Sequence, residues 1–350
     1  MRQATLLLAL SCLGCAIDPH EIRWHDDAVL AEKLLDDRDY EGARARFAEL
    51  ERRAQWEGDR VAMRFRQAEA LRRAGRFAEA EAALKELGAR TRKDDADRRA
   101  KAQYLRARLQ GDRGDDAGAL HRLHRVVERF PSTVWGHRAF LYLRGHYRES
   151  EAGRRIFVRW CRERYRSAPN SAMADNFLYE AARIAFDRET EAGDARALAL
   201  YEKILARWGF TTSPIWDDAI WEASLIHHRR GRFAAEIDLL ERLLSTREET
   251  WLGSYEIKNY KWAAFRKAQV LFQDLHAYES AAQAFARIPV EYPLSLLKDD
   301  ALWWEAHAWQ RAGRADLARA RFEALLRDWP ESKYSRRVRE NHPGPPAANR

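Results

Sequence analysis

The chain is short of every residue type that would build something other than helix. Glycine and proline number 17 and 10 in 350 residues, and β-branched residues are few. It contains neither a glycine-rich phosphate loop nor a nucleophile elbow, which removes two common signatures of nucleotide and acyl-transfer chemistry. No Pro/Gly/Ser stretch marks a linker between domains. No apolar run reaches the ~20 residues that a membrane-crossing helix needs. Cysteine is the scarcest of all. There are three, and two of them, Cys12 and Cys15, fall within the first fifteen residues. Cys161, in the mixed apolar and basic setting IFVRWCRERY, is expected to be a packed or bystander thiol without a disulfide partner.

The N-terminus is organised differently from the rest. Arg2 precedes an uncharged stretch from Gln3 to Ile17, the layout of a secretory signal. Leu13-Gly14-Cys15 resembles the cleavage box of bacterial lipoproteins, where a small residue precedes the cysteine that becomes the lipidated N-terminus. The resemblance implies a signal peptide over 1–14, lipidation at Cys15 and a tether over 15–23. Cys12 is a rival site. Ala16, where retention in the inner membrane usually takes an aspartate, implies an outer-membrane, periplasm-facing protein of a Gram-negative bacterium.

Charged residues make up 33% of the chain, with a formal charge of +8. Acidic and basic residues alternate, as in EKLLDDRDYEGARARFAELERR, so they read as solvated helix faces rather than a nucleic-acid footprint. Ala, Leu, Arg and Glu dominate, and an all-α chain of this length needs a repeat to organise it. Counting from Asp299, small residues occupy the eighth and twentieth positions (Ala306, Ala318), Phe322 is twenty-fourth and Pro330 thirty-second. Small side chains let two antiparallel helices approach, the ring fills between them, and proline ends the second.

The same offsets recur from Trp24, Val61, Ala100, Leu178, Asp217 and Trp262, with a weak unit from Arg138. Two departures stand out: Glu236 replaces the small residue of the Asp217 unit, and Gln269 that of the Trp262 unit. This pattern is similar to the tetratricopeptide-repeat family. It implies a right-handed α-solenoid of about eight helix pairs over 24–331, with a capping helix at 332–341 and a disordered tail at 342–350. Together with the signal and three Pro-x-Ser boundaries, it resembles outer-membrane lipoproteins of the barrel-assembly (BamD) and TolA-binding kinds.

In that family the concave groove is lined by the first helix of each unit, at its second, fifth, ninth and twelfth positions. The resemblance therefore makes Phe65, Tyr104, Tyr142, Trp221 and Trp303, all at the fifth position, and His307 at a ninth, candidate groove residues. The alternative is that these rings pack between helices. Nine of the thirteen tryptophans lie from Trp208 to Trp329, which directs a ligand to the C-terminal half.

Catalytic and metal candidates are poor. His121 and His124 share a helical face with no third ligand nearby, and His227-His228 diverge around the helix. Glu149-Ser150 is similar to the Glu-Ser pair of lytic transglycosylases, without the rest of that domain. The expectation is a non-enzymatic scaffold without cofactor or metal, which binds envelope proteins or peptides and no nucleic acid. A cell-wall enzyme and a soluble intracellular adaptor remain as alternatives.

Overall fold

The computed structural model describes residues 19–90, 95–246, 249–250, 253–254 and 258–340. The signal and lipidation expectations, Cys12 and Cys15 among them, and the tail from His342 lie outside the described residues. Contacts divide the chain into two units, meeting between Ser150 and Glu151.

The first unit contains α1 (Pro19–Asp36), α2 (Tyr40–Arg53), α3 (Glu57–Arg73), α4 (Phe77–Arg90), α5 (Ala96–Asp112), α6 (Asp116–Arg129) and α7 (Val134–Arg148). The second begins with α8 (Glu151–Ser167) and α9 (Ala174–Phe186). It continues with α10 (Glu191–Arg207), α11 (Trp216–Arg229), α12 (Phe233–Leu244) and α13 (Lys258–Gln273), and closes with α14 (Tyr278–Glu291), α15 (Lys298–Arg311), α16 (Ala315–Asp328) and α17 (Lys333–Arg339). Between α12 and α13 a two-residue antiparallel ladder pairs β1 (Glu249–Thr250) with β2 (Gly253–Ser254). Within each unit a helix packs mainly on its neighbours in sequence, the expected all-helical repeat architecture.

The repeat positions do what their chemistry requires. Ala31, Ala68, Ala107 and Ala306, eighth in their units, are at most 1% exposed. Their small methyl side chains let paired helices close. At the fifteenth position Arg38, Gly75, Gly114, Gly231, His276 and Gly313 adopt the left-handed backbone that turns the first helix into the second. Four of these six are glycine, which takes that conformation without steric cost. The second helices α2 and α6 then start on Asp39 and Asp115, whose carboxylates accept from the amides of Gly42 and Gly118.

Three units depart from the expected register. In the unit counted from Arg138 the fifteenth position, Ala152, lies inside α8, and only two residues join α7 to α8. In α13 the fully buried small residue is Ala268, not Gln269, because four residues instead of three join α13 to α14. In α9 the left-handed turn falls at Glu189 and α10 begins early. Counted back from that turn, Tyr179 and not Ala182 takes the fifth position, and Ala182 (0% exposed) the eighth.

Candidate peptide-binding face

In the first unit, α5 lies against both α3 and α7, so these first helices form one continuous face. Lys101, Tyr104 and Arg108 share a side of α5 at helical spacing, and Trp135, Arg138 and Tyr142 share a side of α7. The two rows interlock. The Tyr104 and Trp135 rings are 5.3 Å apart. Lys101 Nζ sits 4.4 Å from the Phe65 ring centre and 5.4 Å from that of Trp135. The Arg138 guanidinium lies 4.5 Å from the Trp135 ring, and that of Arg108 5.3 Å from Tyr142. Cations over ring faces are held in place without losing their charge.

Charge on this face is uncompensated. Among the described residues no carboxylate forms an ion pair with Lys101, Arg108 or Arg138, whereas Arg66 next to them is paired with Glu32 at 2.7 Å. Burial lowers the Lys101 amine to about pKa 8, helped by Arg66 and Arg138 and opposed by Asp97. Tyr142 is 40% exposed and Arg138 is exposed, so the face is open to solvent.

The predicted site residues separate into two groups. Tyr104 and Trp221 are half-buried and Tyr142 is exposed. Phe65, Trp303 and His307 are core residues, at 2%, 1% and 4% exposure, which corrects the expectation that Trp303 would be partly open. The reason is geometric. A fifth-position side chain reaches the next first helix: Phe65 packs in a cluster with Ala102 of α5, and the Tyr179 hydroxyl donates to Glu222 of α11 at 3.0 Å. Trp303 likewise stacks on Tyr334 of α17 at 5.1 Å. His307 lies 4.3 Å from the Trp303 ring and 5.0 Å from Phe322, and burial lowers its imidazole to about pKa 4. Part of the C-terminal tryptophan excess is packing of this kind, with Trp216, Trp303 and Trp304 all buried and Trp262 exposed.

Sequence reasoning missed a set of buried carboxylates in the second unit. Glu236 is fully buried and binds His228 Nδ1 and Arg266 Nε, both at 2.8 Å. It occupies a position where a small residue was expected, and that departure from the repeat was the available signal; with Ala268 eighth in α13, the fifth position there falls to Phe265, 7% exposed. Glu222 accepts from Tyr179 and Tyr201 and faces Arg183 at 3.2 Å; burial raises its pKa. Glu305 meets Arg321 at 2.7 Å. These groups cross-link helices.

The remaining candidates are dispersed. His124 bonds the Tyr147 hydroxyl at 3.0 Å while His121 faces solvent, and the described residues contain no cluster of three potential metal ligands. Cys161 is buried, and burial, with Glu180 nearby, pushes its thiol well above the ordinary range. Glu149 and Ser150 are both exposed.

Two family models, both described as tetratricopeptide repeat, match the chain: one over residues 29–96, the other over 101–133 and 300–332. These stretches coincide with the helix pairs α1 to α6 and α15–α16, so the chain carries tetratricopeptide repeats. No curated protein sequence matches it. Solved structures of similar fold include YrrB, described as a tetratricopeptide protein with an unusual peptide-binding site (13% identity, 71% of this chain and 94% of that one, TM-score 0.35). PilW, described as a widely conserved type IV pilus biogenesis factor, covers 79% of this chain and 97% of its own at 14% identity and TM-score 0.34. The C-terminal part of a repeat protein from Cytophaga hutchinsonii covers 87% and 96% at 12% identity and TM-score 0.37.

Proposed function

We propose that this protein is a lipid-anchored, periplasm-facing scaffold that binds an acidic, extended segment of an envelope protein across the α3–α5–α7 face. The observation that carries the reading is the set of three cations, Lys101, Arg108 and Arg138, held over aromatic rings with no carboxylate partner. A peptide carboxylate would supply the missing charge, and the half-open rings of Tyr104, Trp135 and Tyr142 would take its apolar side chains. The tetratricopeptide repeats make protein or peptide binding the natural class of activity. The envelope setting rests on the Leu13-Gly14-Cys15 box alone.

The test of binding is fluorescence anisotropy with a short N-acetylated, glutamate-rich peptide and its glutamine counterpart. The acidic peptide is expected to bind and the neutral one to bind at least several-fold more weakly. Exposed charge pairs contribute ~0.2–1 kcal/mol each, so Arg108→Gln/Arg138→Gln is expected to weaken binding by roughly twofold to thirtyfold. Equal affinity for both peptides contradicts the reading. The anchor is tested separately. Stable attachment takes more than one acyl chain, and Cys15→Ser is expected to leave the membrane fraction, while loss with Cys12→Ser alone moves the anchor to that residue.

A further inference from the structure

A second cationic feature lies on the opposite flank of α5. Gln103, Arg106 and Gln110 are offset by two residues from Lys101, Tyr104 and Arg108, about 200° around the helix at 3.6 residues per turn. They face α6 and, with its His121, Arg122, Arg125 and Arg129, line a cavity of about 340 Å³. Val126 and Phe130 supply its apolar wall, and none of its lining residues is acidic.

The arginines in it differ from several others in the first unit. Arg53, Arg64 and Arg66 each meet a carboxylate of another helix within 2.7 Å. In the cavity only Arg106 does, through Glu81 at 2.5 Å. Arg122 instead donates Nε to Gln110 Oε1 at 2.7 Å and Nη1 to Gln103 Oε1 at 3.1 Å. Amide oxygens position a guanidinium without neutralising it, and Nη2 is left without a protein partner among the described residues. Burial, with Arg106 and Arg125 close by, draws the Arg122 pKa down against the opposite pull of Glu81 and Asp115. Arg125 has no ion-pair partner among the described residues, and Arg129 touches only the Phe130 ring.

The preceding helix pair provides an internal comparison. A cavity of about 310 Å³ occupies the same place between α3 and α4. At the positions of Arg122 and Arg125 it has Ala83 and Glu86, and where α5 has Gln110 it has Leu71. Its own Arg64 is answered by Glu51. The repeat architecture therefore makes the groove, and relative to the preceding pair the residues at these positions make it more positive.

We propose that the α5–α6 cavity is a second binding site, distinct from the peptide face, for a small di- or trianion of phosphate chemistry. Arg122, Arg125 and Arg129 rise along one side of α6 over ~10 Å. Three guanidinium groups so placed exceed what one carboxylate can balance, and they suit the several oxygens of a phosphate or pyrophosphate group. Val126 and Phe130 accommodate the apolar portion of its ester. The phosphate belongs either to a free small molecule or to a lipid headgroup.

The experiment is calorimetric titration of the full chain with inorganic pyrophosphate, beside co-sedimentation with vesicles of phosphatidylcholine with and without phosphatidylglycerol. Wild type is expected to bind saturably in at least one arm, with affinity falling as salt rises. Arg122→Ala/Arg125→Glu, which restores the residues of the preceding pair, is expected to weaken binding at least tenfold. Arg125→Glu alone, at an exposed position, serves if the double variant melts early, and is expected to weaken it several-fold. Arg46→Gln, an exposed arginine of α2 far from the cavity in sequence, is expected to leave pyrophosphate and vesicle binding unchanged. Binding to pyrophosphate assigns a free phosphate; a vesicle effect confined to phosphatidylglycerol, and lost in the same variants, assigns a headgroup. The proposal is overturned by no saturable binding in either arm, or by undiminished binding in the variants.

Discussion

Among the described residues Trp303 is the largest side chain fully enclosed, and that enclosure makes it a stability residue instead of a ligand contact. Trp303→Ala is expected to cost ~3–5 kcal/mol and to melt early. Phe322→Ala, at a half-buried position, is expected to cost less, and thermal melts of the two variants give the order. The reverse order would restore Trp303 to the surface. Lys101 makes a different kind of prediction. Its amine loses its proton near pH 8 in the free protein, and a bound carboxylate favours the charged form. Binding of an N-acetylated acidic peptide should therefore weaken from pH 7 to pH 9, with proton uptake on binding at the upper end. Lys101→Met should abolish that pH dependence. A profile that is flat in wild type removes Lys101 from the face. None of this was legible from residue type alone: Phe65 and Tyr104 hold the same repeat position, yet one is enclosed and the other half-open.

Helices were the most legible scale, because alanine, aromatic and proline spacing reports directly on how closely two helices can pack. Even the weak unit counted from Arg138 has its helices in α7 and α8. What the spacing did not reveal is which flank of a first helix abuts the next one, since a pattern derived from one pair is silent on contacts between pairs. That is why the fifth-position rings were assigned to a groove. One extra loop residue after α13 and one extra turn at the start of α10 were hidden for a related reason: each shifts one helix and leaves its partner in register.

The Glu236–Arg266 pair is testable as an exchange between elements. Glu236→Ala strands Arg266, a quarter exposed, and is expected to cost ~1–3 kcal/mol. Adding Arg266→Phe, which removes the stranded cation, is expected to recover at least half of the loss in urea midpoint. No recovery would mean that the stranded guanidinium is not the source of the loss. The capping helix supplies a further case. Ending the chain before Ser332 removes Tyr334 from the Trp303 ring, and should lower the melting temperature and shift tryptophan emission to the red. An unchanged spectrum would contradict the enclosure of Trp303 by α17.

For the molecule as a whole, composition indicated helix and repeats. The tryptophan-rich C-terminal half suggested a ligand there, yet Trp216, Trp303 and Trp304 fill the core. The interleaved charges, expected to be solvated, include inter-helix bridges such as Arg53–Asp27 and Arg64–Glu51. Only after those pairs are subtracted does the unmatched positive charge of α5 to α7 emerge, and no count of Lys and Arg can perform that subtraction. The central claim is that this face takes an acidic partner segment. Amide hydrogen exchange of the full chain, with and without a saturating N-acetylated acidic peptide, measures it most directly. The account predicts slowed exchange concentrated in residues 96–148, absent in Arg108→Gln/Arg138→Gln. Protection confined to residues 258–340, with none in α5 or α7, would contradict it.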